Sequence, residues 1–377
     1  MYIWELGAWP EFTWNYEELK PRLESVRLQQ GRLLGQSEDL SKELDLQARM
    51  DALIQNAIRT SEIEGENLNV ESVRSSVARR LGLPRAGLRD TTVQTDALVG
   101  MLLEATQDLE TPLTQAQLCQ WQAALFPDGP GLVSPVKVGE LRGEVPMQVV
   151  SGRVDRPIVH FEAPPGERLE QELDEFLTWL NQPPNTLDGL LRAGIAHLWL
   201  VTLHPFDDGN GRVTRAVTDR ALAQAEQQSI CFYSLSAAIM ERRKEYYEHL
   251  EQSQKGGLDI TPWLSWFLSV LEDALKQGQA RFDRVLKKTR FWQRHSQTPL
   301  TERQIKVLNR LLDVGAAQEG AEGFEPGINA EKYKSLAKVS KATATRDLTD
   351  LLEKGCLTKL PAGGRSTRYA IDYGGSA

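Results

Sequence analysis

Apolar positions recur at helical spacing along most of the chain. Leu19, Leu23, Val26 and Leu33 mark a helix within the first fifty residues, and 48–82 reads as one or two helices. They are interrupted at TSEIEGENLN, where Gly65 and Asn67 predict a turn. Leu98, Met101, Leu102, Leu113, Leu118 and Trp121 continue the pattern over 92–126, and Leu169, Leu173, Phe176, Leu177 and Leu180 resume it from Glu167. The segment 188–203 is strongly apolar and reads as a buried helix. Helices then run to about residue 290, one starting at LDITPW with Thr261 as N-cap and Pro262 in the first turn.

Two stretches depart from this pattern. Between Pro127 and Pro165 glycine and proline are frequent, and MQVVSGRVDRPIVHF places β-branched runs on either side of Ser151-Gly152. That predicts a β-hairpin over 145–161. The Gly- and Glu-rich run 315–327 predicts a flexible loop. It sits in a separate unit that starts near Leu300, and the segment after it reads as helix, turn, helix and two short strands around Gly363-Gly364. No internal repeat is present. The class expected is mostly α, with one small β element in the middle and another at the C-terminal end.

The length of 377 residues suggests two or three domains with ample core. A net charge of −8 excludes a molecule that is basic overall, while a local basic face remains compatible with it. Cys119, Cys231 and Cys356 are far apart and form no CxxC, which argues against a disulfide framework or zinc site and fits a reducing compartment. MYIWELGAWPEF lacks the basic start and apolar run of a signal peptide. The most apolar region, 190–203, is interrupted by Arg192 and His197 and is too short to span a bilayer. A cytoplasmic protein without membrane contact is the expectation. Trp4, Trp9, Phe12 and Trp14 are expected to be core or docking contacts.

The chemistry concentrates in HPFDDGNGRVTR, His204 to Arg215, between the buried helix and another restarting near Val213. Gly and Asn tolerate positive φ, so successive N–H groups can turn inward at a helix N-terminus and form an anion site. Arg212 and Arg215, three residues apart, share a helix face. Uncompensated they repel; a polyphosphate reconciles them. Asp208 beside an anion site is explained by Mg²⁺, which binds through one carboxylate plus phosphate oxygens. His204 can be neutral and basic at physiological pH. The plainer alternatives are a helix end at His-Pro, a turn at GNG and an exposed Asp208–Arg212 pair. They account for each residue singly but not for all of them in twelve positions. Walker, dinucleotide GxGxxG and GxSxG patterns are absent.

This stretch resembles the signature of the Fic family, HPFx[D/E]GNGRxxR, at every fixed position, and the resemblance extends over roughly 1–290. It implies an N-terminal helical domain at 1–90 and a Fic core at 91–290, with the hairpin as a flap that aligns a target segment by strand addition. Family members usually transfer AMP from ATP to a hydroxyl side chain of a target protein. On that resemblance His204 is the general base, Asp208 holds Mg²⁺, Gly209, Asn210 and Gly211 form the anion hole, Arg212 contacts phosphate and Arg215 meets the γ-phosphate. Phe206 is expected to fix the loop from the core. Tyr246, Tyr247 and Gln254 are adenine candidates, with Gln254 standing where some relatives carry Asn.

TSEIEG, with Thr60, Glu64 and Gly65, matches the family's inhibitory pattern [S/T]xxxE[G/N]. Glu64 is expected to pair with Arg215, bidentately if geometry allows, and so misplace ATP. In some relatives the same glutamate positions water to remove AMP. Residues 300–377 resemble a winged-helix domain, with Ser340 as N-cap and Gly355 as C-cap of a recognition helix whose core face is Leu348, Leu351 and Leu352. Nine basic against four acidic residues over 328–371 make it locally +5 and suggest DNA, while the same fold also serves protein contacts or dimerisation. The expectation is a Mg-ATP-dependent protein adenylyltransferase restrained by Glu64. Its partners would be a target protein, DNA through the C-terminal unit, and a second copy of itself. The alternatives are AMP removal, transfer of another phosphate-containing group, or a DNA-binding regulator that senses nucleotide.

Overall fold

A computed structural model describes all residues except 39–41, 83–89, 128, 130–135, 154–155, 185, 228–231, 315–326, 362–366 and 375–377. Among the described residues the order begins with a 3-10 turn, Ile3–Glu5, and then α1 (Tyr16–Glu38), α2 (Lys42–Ile63), α3 (Val70–Arg80), α4 (Val93–Gln107) and α5 (Gln115–Ala124). The hairpin β1 (Gln148–Arg153) and β2 (Arg156–Glu162) follows. Next come α6 (Gly166–Asn181), α7 (Gly189–Leu203), α8 (Asn210–Glu226), α9 (Leu235–Glu241), α10 (Arg243–Gln254) and α11 (Thr261–Arg294). The last elements are α12 (Glu302–Val314), α13 (Ala330–Ala337), α14 (Lys341–Glu353), β3 (Leu357–Lys359) and β4 (Tyr369–Ile371). The chain divides into two compact units, 1–278 and 279–377. Residues on both sides of 90 lie in the first. No helix among the described residues is long and apolar enough to cross a membrane.

The centre of the first unit is α7, buried from Leu190 to Leu203 apart from a half-buried Arg192. A helix apolar all round must be covered on every side, and α6, α8 and α11 cover it. Gly194 makes the close approach to α11: a Cβ there would lie 2.9 Å from Leu264 and 3.0 Å from Phe267, and the Gly194 carbonyl accepts from Trp263 Nε1 at 2.8 Å. The absence of a side chain lets two helices meet along this line. His197, fully buried on α7, bridges α8 and α10: Nδ1 lies 2.9 Å from Thr218 Oγ1 and Nε2 2.9 Å from the Tyr246 hydroxyl. The Thr218 hydroxyl donates to the Thr214 carbonyl, so Nδ1 carries the proton and Nε2 accepts from Tyr246. Burial pushes the His197 imidazole down to about 3.

The N-terminal aromatics pack under the hairpin. Trp4 shares a cluster with Phe161 and Ala163, joined by Tyr2, Trp9, Met147 and Val149, and its indole N–H donates to the Glu162 carbonyl at 2.7 Å. Phe12 and Trp14 are half-buried. The hairpin's register differs from the sequence expectation. Ser151 and Gly152 lie inside β1, opposite Ile158 and Pro157, and the strands are joined between Arg153 and Arg156. Pairing of Val149 with Phe161 over the aromatic cluster decides this, since a one-residue slip would turn both away from it.

One helix end also needs correction. Thr261 is the first residue of α11 and not its cap. Its N–H donates to Asp259 Oδ1 at 3.0 Å, so Asp259 supplies the cap, while the Thr261 hydroxyl accepts from the Asn15 N–H. In the second unit Ser340 does cap α14, accepting from the Thr343 N–H, and Gly355 has φ 67° just past its end. Leu348 and Leu351 are buried as expected, but Leu352 is 36% exposed. The core of this unit is Phe291, Leu308, Tyr333, Leu348, Leu351 and their neighbours. β3 and β4 pair antiparallel, Leu357 opposite Ile371. The helix order and two-stranded sheet follow the expected sequence of elements. Gly363-Gly364, Cys231 and all but Gly327 of the expected flexible loop lie outside the described residues.

Candidate functional site

The site is built where α7 ends and α8 begins. His204 stops α7 in the left-handed region, φ 50° and ψ 58°, and its backbone N–H still donates to the Leu200 carbonyl. The loop then drops Phe206 into the core, fully buried. Asn210 ties the loop shut: its Oδ1 accepts from the Phe206 N–H at 2.9 Å and its Nδ2 donates to the Phe206 carbonyl at 2.7 Å. Gly209 has φ 88°, and a Cβ there would lie 2.9 Å from Leu125. Conformation and space therefore both demand glycine. The first intrahelical bond of α8 runs from the Val213 N–H to the Gly209 carbonyl. The N–H groups of Asn210, Gly211 and Arg212 precede it and have no partner within the helix, the arrangement that suits an anion.

Residues 137–142 and α5 clasp this loop from outside, and sequence reasoning missed them. Arg142, 5% exposed, donates from Nε to the His204 carbonyl at 2.7 Å and from Nη2 to the carbonyls of Pro164 and Leu203. Its backbone N–H donates to the Pro205 carbonyl. Gln122, fully buried on α5, donates to the carbonyls of Lys137 and Asp208 and accepts from the Gly139 N–H. Neither residue belongs to a motif; only the fold brings them to the loop.

His204 is half-buried, and Nδ1 lies 3.1 Å from the Val201 carbonyl. A carbonyl can only accept, so Nδ1 carries the proton and Nε2 is the basic nitrogen. Burial holds the imidazole below its ordinary value, against the opposing effect of the Val201 bond. Asp208 is exposed, and its Oδ1 accepts from the Gly209 N–H at 2.6 Å. No cluster of three or more metal-ligating side chains occurs among the described residues. A single exposed carboxylate beside an anion cradle suits Mg²⁺ carried in by phosphate oxygens, which needs no protein cage.

The two arginines are buried and occupied. Arg215, 1% exposed, donates from Nη2 to Glu64 Oε1 at 2.7 Å, from Nε to Thr60 Oγ1 at 2.7 Å and from Nη2 to the Thr60 carbonyl at 2.8 Å. The expected Glu64–Arg215 pair is present. It is not bidentate, because Thr60 takes the Nε edge of the guanidinium. Glu64 holds that guanidinium in its charged form against the desolvation of burial. The Glu64 carboxylate also covers Gly211, where a Cβ would lie 2.1 Å from Oε1. Arg212, 3% exposed, donates to Glu66 Oε2 at 2.7 Å and lies over the Phe126 ring at 5.6 Å. Its partner is Glu66, not Asp208. Among the described residues, Arg212 Nε and Arg215 Nη1 are buried with no hydrogen-bond partner, leaving donors that a phosphate can satisfy. The cradle and the spare donors together fit a polyphosphate.

The adenine candidates lie nearby in different environments. Tyr246 is 2% exposed, bonded to His197 and stacked on Trp266, so most of its ring is core. Gln254 is 5% exposed and donates to Thr202. Tyr247 is 39% exposed, and its hydroxyl donates to the Ile63 carbonyl at 3.3 Å. Of the three, only Tyr247 offers a ring to a ligand. Behind Arg215, Asn56 on α2 donates to Asp219 on α8 at 2.7 Å, and burial pushes the Asp219 carboxyl up to about 7.

Residues 112–222 match the family model described as the Fic/DOC family, and residues 2–83 match one described as a domain of unknown function, DUF4172. The chain carries a Fic/DOC domain. Thr60, Glu64 and Glu66 lie in the DUF4172 match, so the groups that occupy the arginines come from outside the Fic match. The protein adenylyltransferase Fic of Culex quinquefasciatus is 26% identical over 231 residues, 60% of this chain and 42% of that protein. Its namesake in Nematostella vectensis is 25% identical over 216 residues, 57% of this chain and 46% of that protein. The chain spans less than half the length of these curated relatives. The crystal structure of a Fic domain containing signaling protein from Bacteroides thetaiotaomicron shares the fold, with a TM-score of 0.50 and 16% identity over 71% of this chain and 97% of that one.

Proposed function

We propose that the chain transfers AMP from Mg-ATP to a hydroxyl side chain of a target protein, and that Glu64 restrains the transfer. The observation that carries this reading is the basic Nε2 of His204 beside an α8 N-terminus whose two arginines are buried with spare donors. The target hydroxyl gives its proton to His204 Nε2 as its oxygen bonds to the α-phosphorus. The bond from the α-phosphorus to the bridging oxygen breaks, and pyrophosphate leaves. The N–H groups of Asn210, Gly211 and Arg212 stabilise the charge that develops on the phosphate oxygens. Arg212 and Arg215 hold the outer phosphates, and such transfer depends chiefly on positioning and charge neutralisation. Asp208 would hold Mg²⁺, which would supply further neutralisation of the phosphate charge. The β1–β2 hairpin exposes Val150 and Ile158, 51% and 59% accessible, and suits an extended target segment added as a strand.

The test is labelling with α-³²P-ATP and Mg²⁺ in a lysate. Glu64→Gly frees Arg215 and should raise protein labelling by roughly 10- to 10²-fold, the scale of a misplaced reactive phosphate. Adding His204→Ala should abolish it. No label in any lane would overturn AMP transfer, and release of AMP from a labelled protein would favour the reverse reaction.

A second reading concerns 279–377. This unit has eighteen Lys and Arg against eleven Asp and Glu, a net +7, which leaves −15 for 1–278. On α14, Lys341, Thr345 and Arg346 are exposed beside Lys338, while Asp347 and Asp350 are engaged by Arg303 and Lys354. We infer duplex DNA as the partner of this face in a winged-helix arrangement, because the basic N-terminal half of α14, with its small and hydroxyl residues, suits a major groove.

A further inference from the structure

The family-type inhibitory pattern ends at Gly65, and nothing in it calls for a carboxylate at the next position. In this chain that position is Glu66, whose Oε2 lies 2.7 Å from Arg212 Nη1. The turn explains how both acids reach the same helix. The N–H groups of Glu64 and Glu66 both donate to the Ser61 carbonyl, and Gly65 takes φ 84° between them. The chain reverses tightly at the end of α2 and delivers two carboxylates, two residues apart, to two guanidinium groups three residues apart on α8. The acids are 30% and 37% exposed, whereas the arginines are 1% and 3% exposed. The acids can therefore leave for water, while the cations cannot leave the site.

We infer that Glu66 is a second restraint on the nucleotide site, competing with phosphate for Arg212 as Glu64 competes for Arg215. The inference rests on the phosphate-binding reading above. Both guanidinium groups stay paired only while the turn at 64–66 remains docked. A triphosphate that displaces Glu64 alone still meets Glu66 at Arg212, so loss of one restraint leaves the other in force. The two act on different quantities. Glu64 lies over Gly211 and decides where the reacting phosphate sits, which is felt in kcat. Glu66 lies beside the cradle and acts on how tightly the phosphate chain is held, which is felt in the KM for ATP.

The experiment measures tripolyphosphate and ATP binding by calorimetry, and transfer kinetics, for the full chain as Glu64→Gly, Glu66→Gln and Glu64→Gly/Glu66→Gln. Glu66→Gln keeps the side chain's shape and removes its charge, and thermal melting confirms that each variant is folded. Adding Glu66→Gln to Glu64→Gly should tighten tripolyphosphate binding by about fivefold, the scale of a half-exposed charge-assisted pair. It should lower the KM for ATP by a similar factor with kcat unchanged. Equal tripolyphosphate affinity in the two backgrounds would overturn the restraint, even if Glu64→Gly transfers AMP well. Tighter tripolyphosphate binding with no AMP transfer in any variant would uphold Glu66 and sink the transferase reading instead.

Discussion

His204 shows how much one residue's surroundings decide. Its ordinary imidazole would be half protonated near neutrality, but burial and the nearby Arg142 hold it lower. Glu64 acts in the opposite direction, so removing it lowers the imidazole further. The sign is definite: a depressed histidine stays neutral, and competent as a base, down to a lower pH. Transfer by Glu64→Gly should stay level through about pH 6.5 and fall only on the acid side of it. A pH–rate profile whose acid limb is centred at or above that value would remove His204 from the role of base. The motif holds His204, Asp208, Arg212 and Arg215 on one loop and the start of α8. It could not show that Thr60 shares Arg215 with Glu64, or that Arg142 bonds the His204 carbonyl, because those partners lie 155 and 62 residues away in sequence.

At the level of elements, the site depends on how rigidly α7 delivers the loop to α8. Its apolar run predicted a buried helix, and burial on all sides followed. The closeness of α11 did not follow from that pattern, and it hangs on Gly194. Gly194→Ala puts a methyl group 2.9 Å from Leu264 and 3.0 Å from Phe267. Such overpacking should cost about 1–3 kcal/mol in urea unfolding. Unchanged stability would mean that α7 and α11 meet less tightly than described. The hairpin teaches the same lesson from the other side. β-Branched runs on either side of Ser151-Gly152 announced two strands, but both residues pair within β1 because Phe161 and Val149 are anchored on aromatics contributed by residues 2–9.

Over the whole molecule, charge is segregated between the two compact units. A −15 body disfavours nucleic acid overall, so the +7 unit is where duplex binding by the full chain is expected. Affinity for a short duplex should fall linearly in log–log with salt. Arg346→Ala should reduce that slope by about one if Arg346 meets a phosphate. Binding that is absent, or insensitive to salt, would leave the basic face to another partner. Adenylyl transfer does not enter this measurement, so the two readings stand or fall separately.

The sequence by itself determined the helical class, the capped ends of α14, the glycine-rich loop between α7 and α8, and the pair Arg212 and Arg215 on one face of α8. All of these are local: periodicity, capping chemistry, glycine conformation and charges a few residues apart on one helix face. Only the tertiary structure decided which groups converge on that loop. Thr60, Glu64 and Glu66 reach α8 because α2 ends there, Arg142 clasps the loop from a segment without regular structure and Gln122 from α5, and Tyr246 turns inward to serve His197. Contacts between residues so far apart in the chain leave no periodic trace in the sequence. They follow from packing a wholly apolar helix on every side at once.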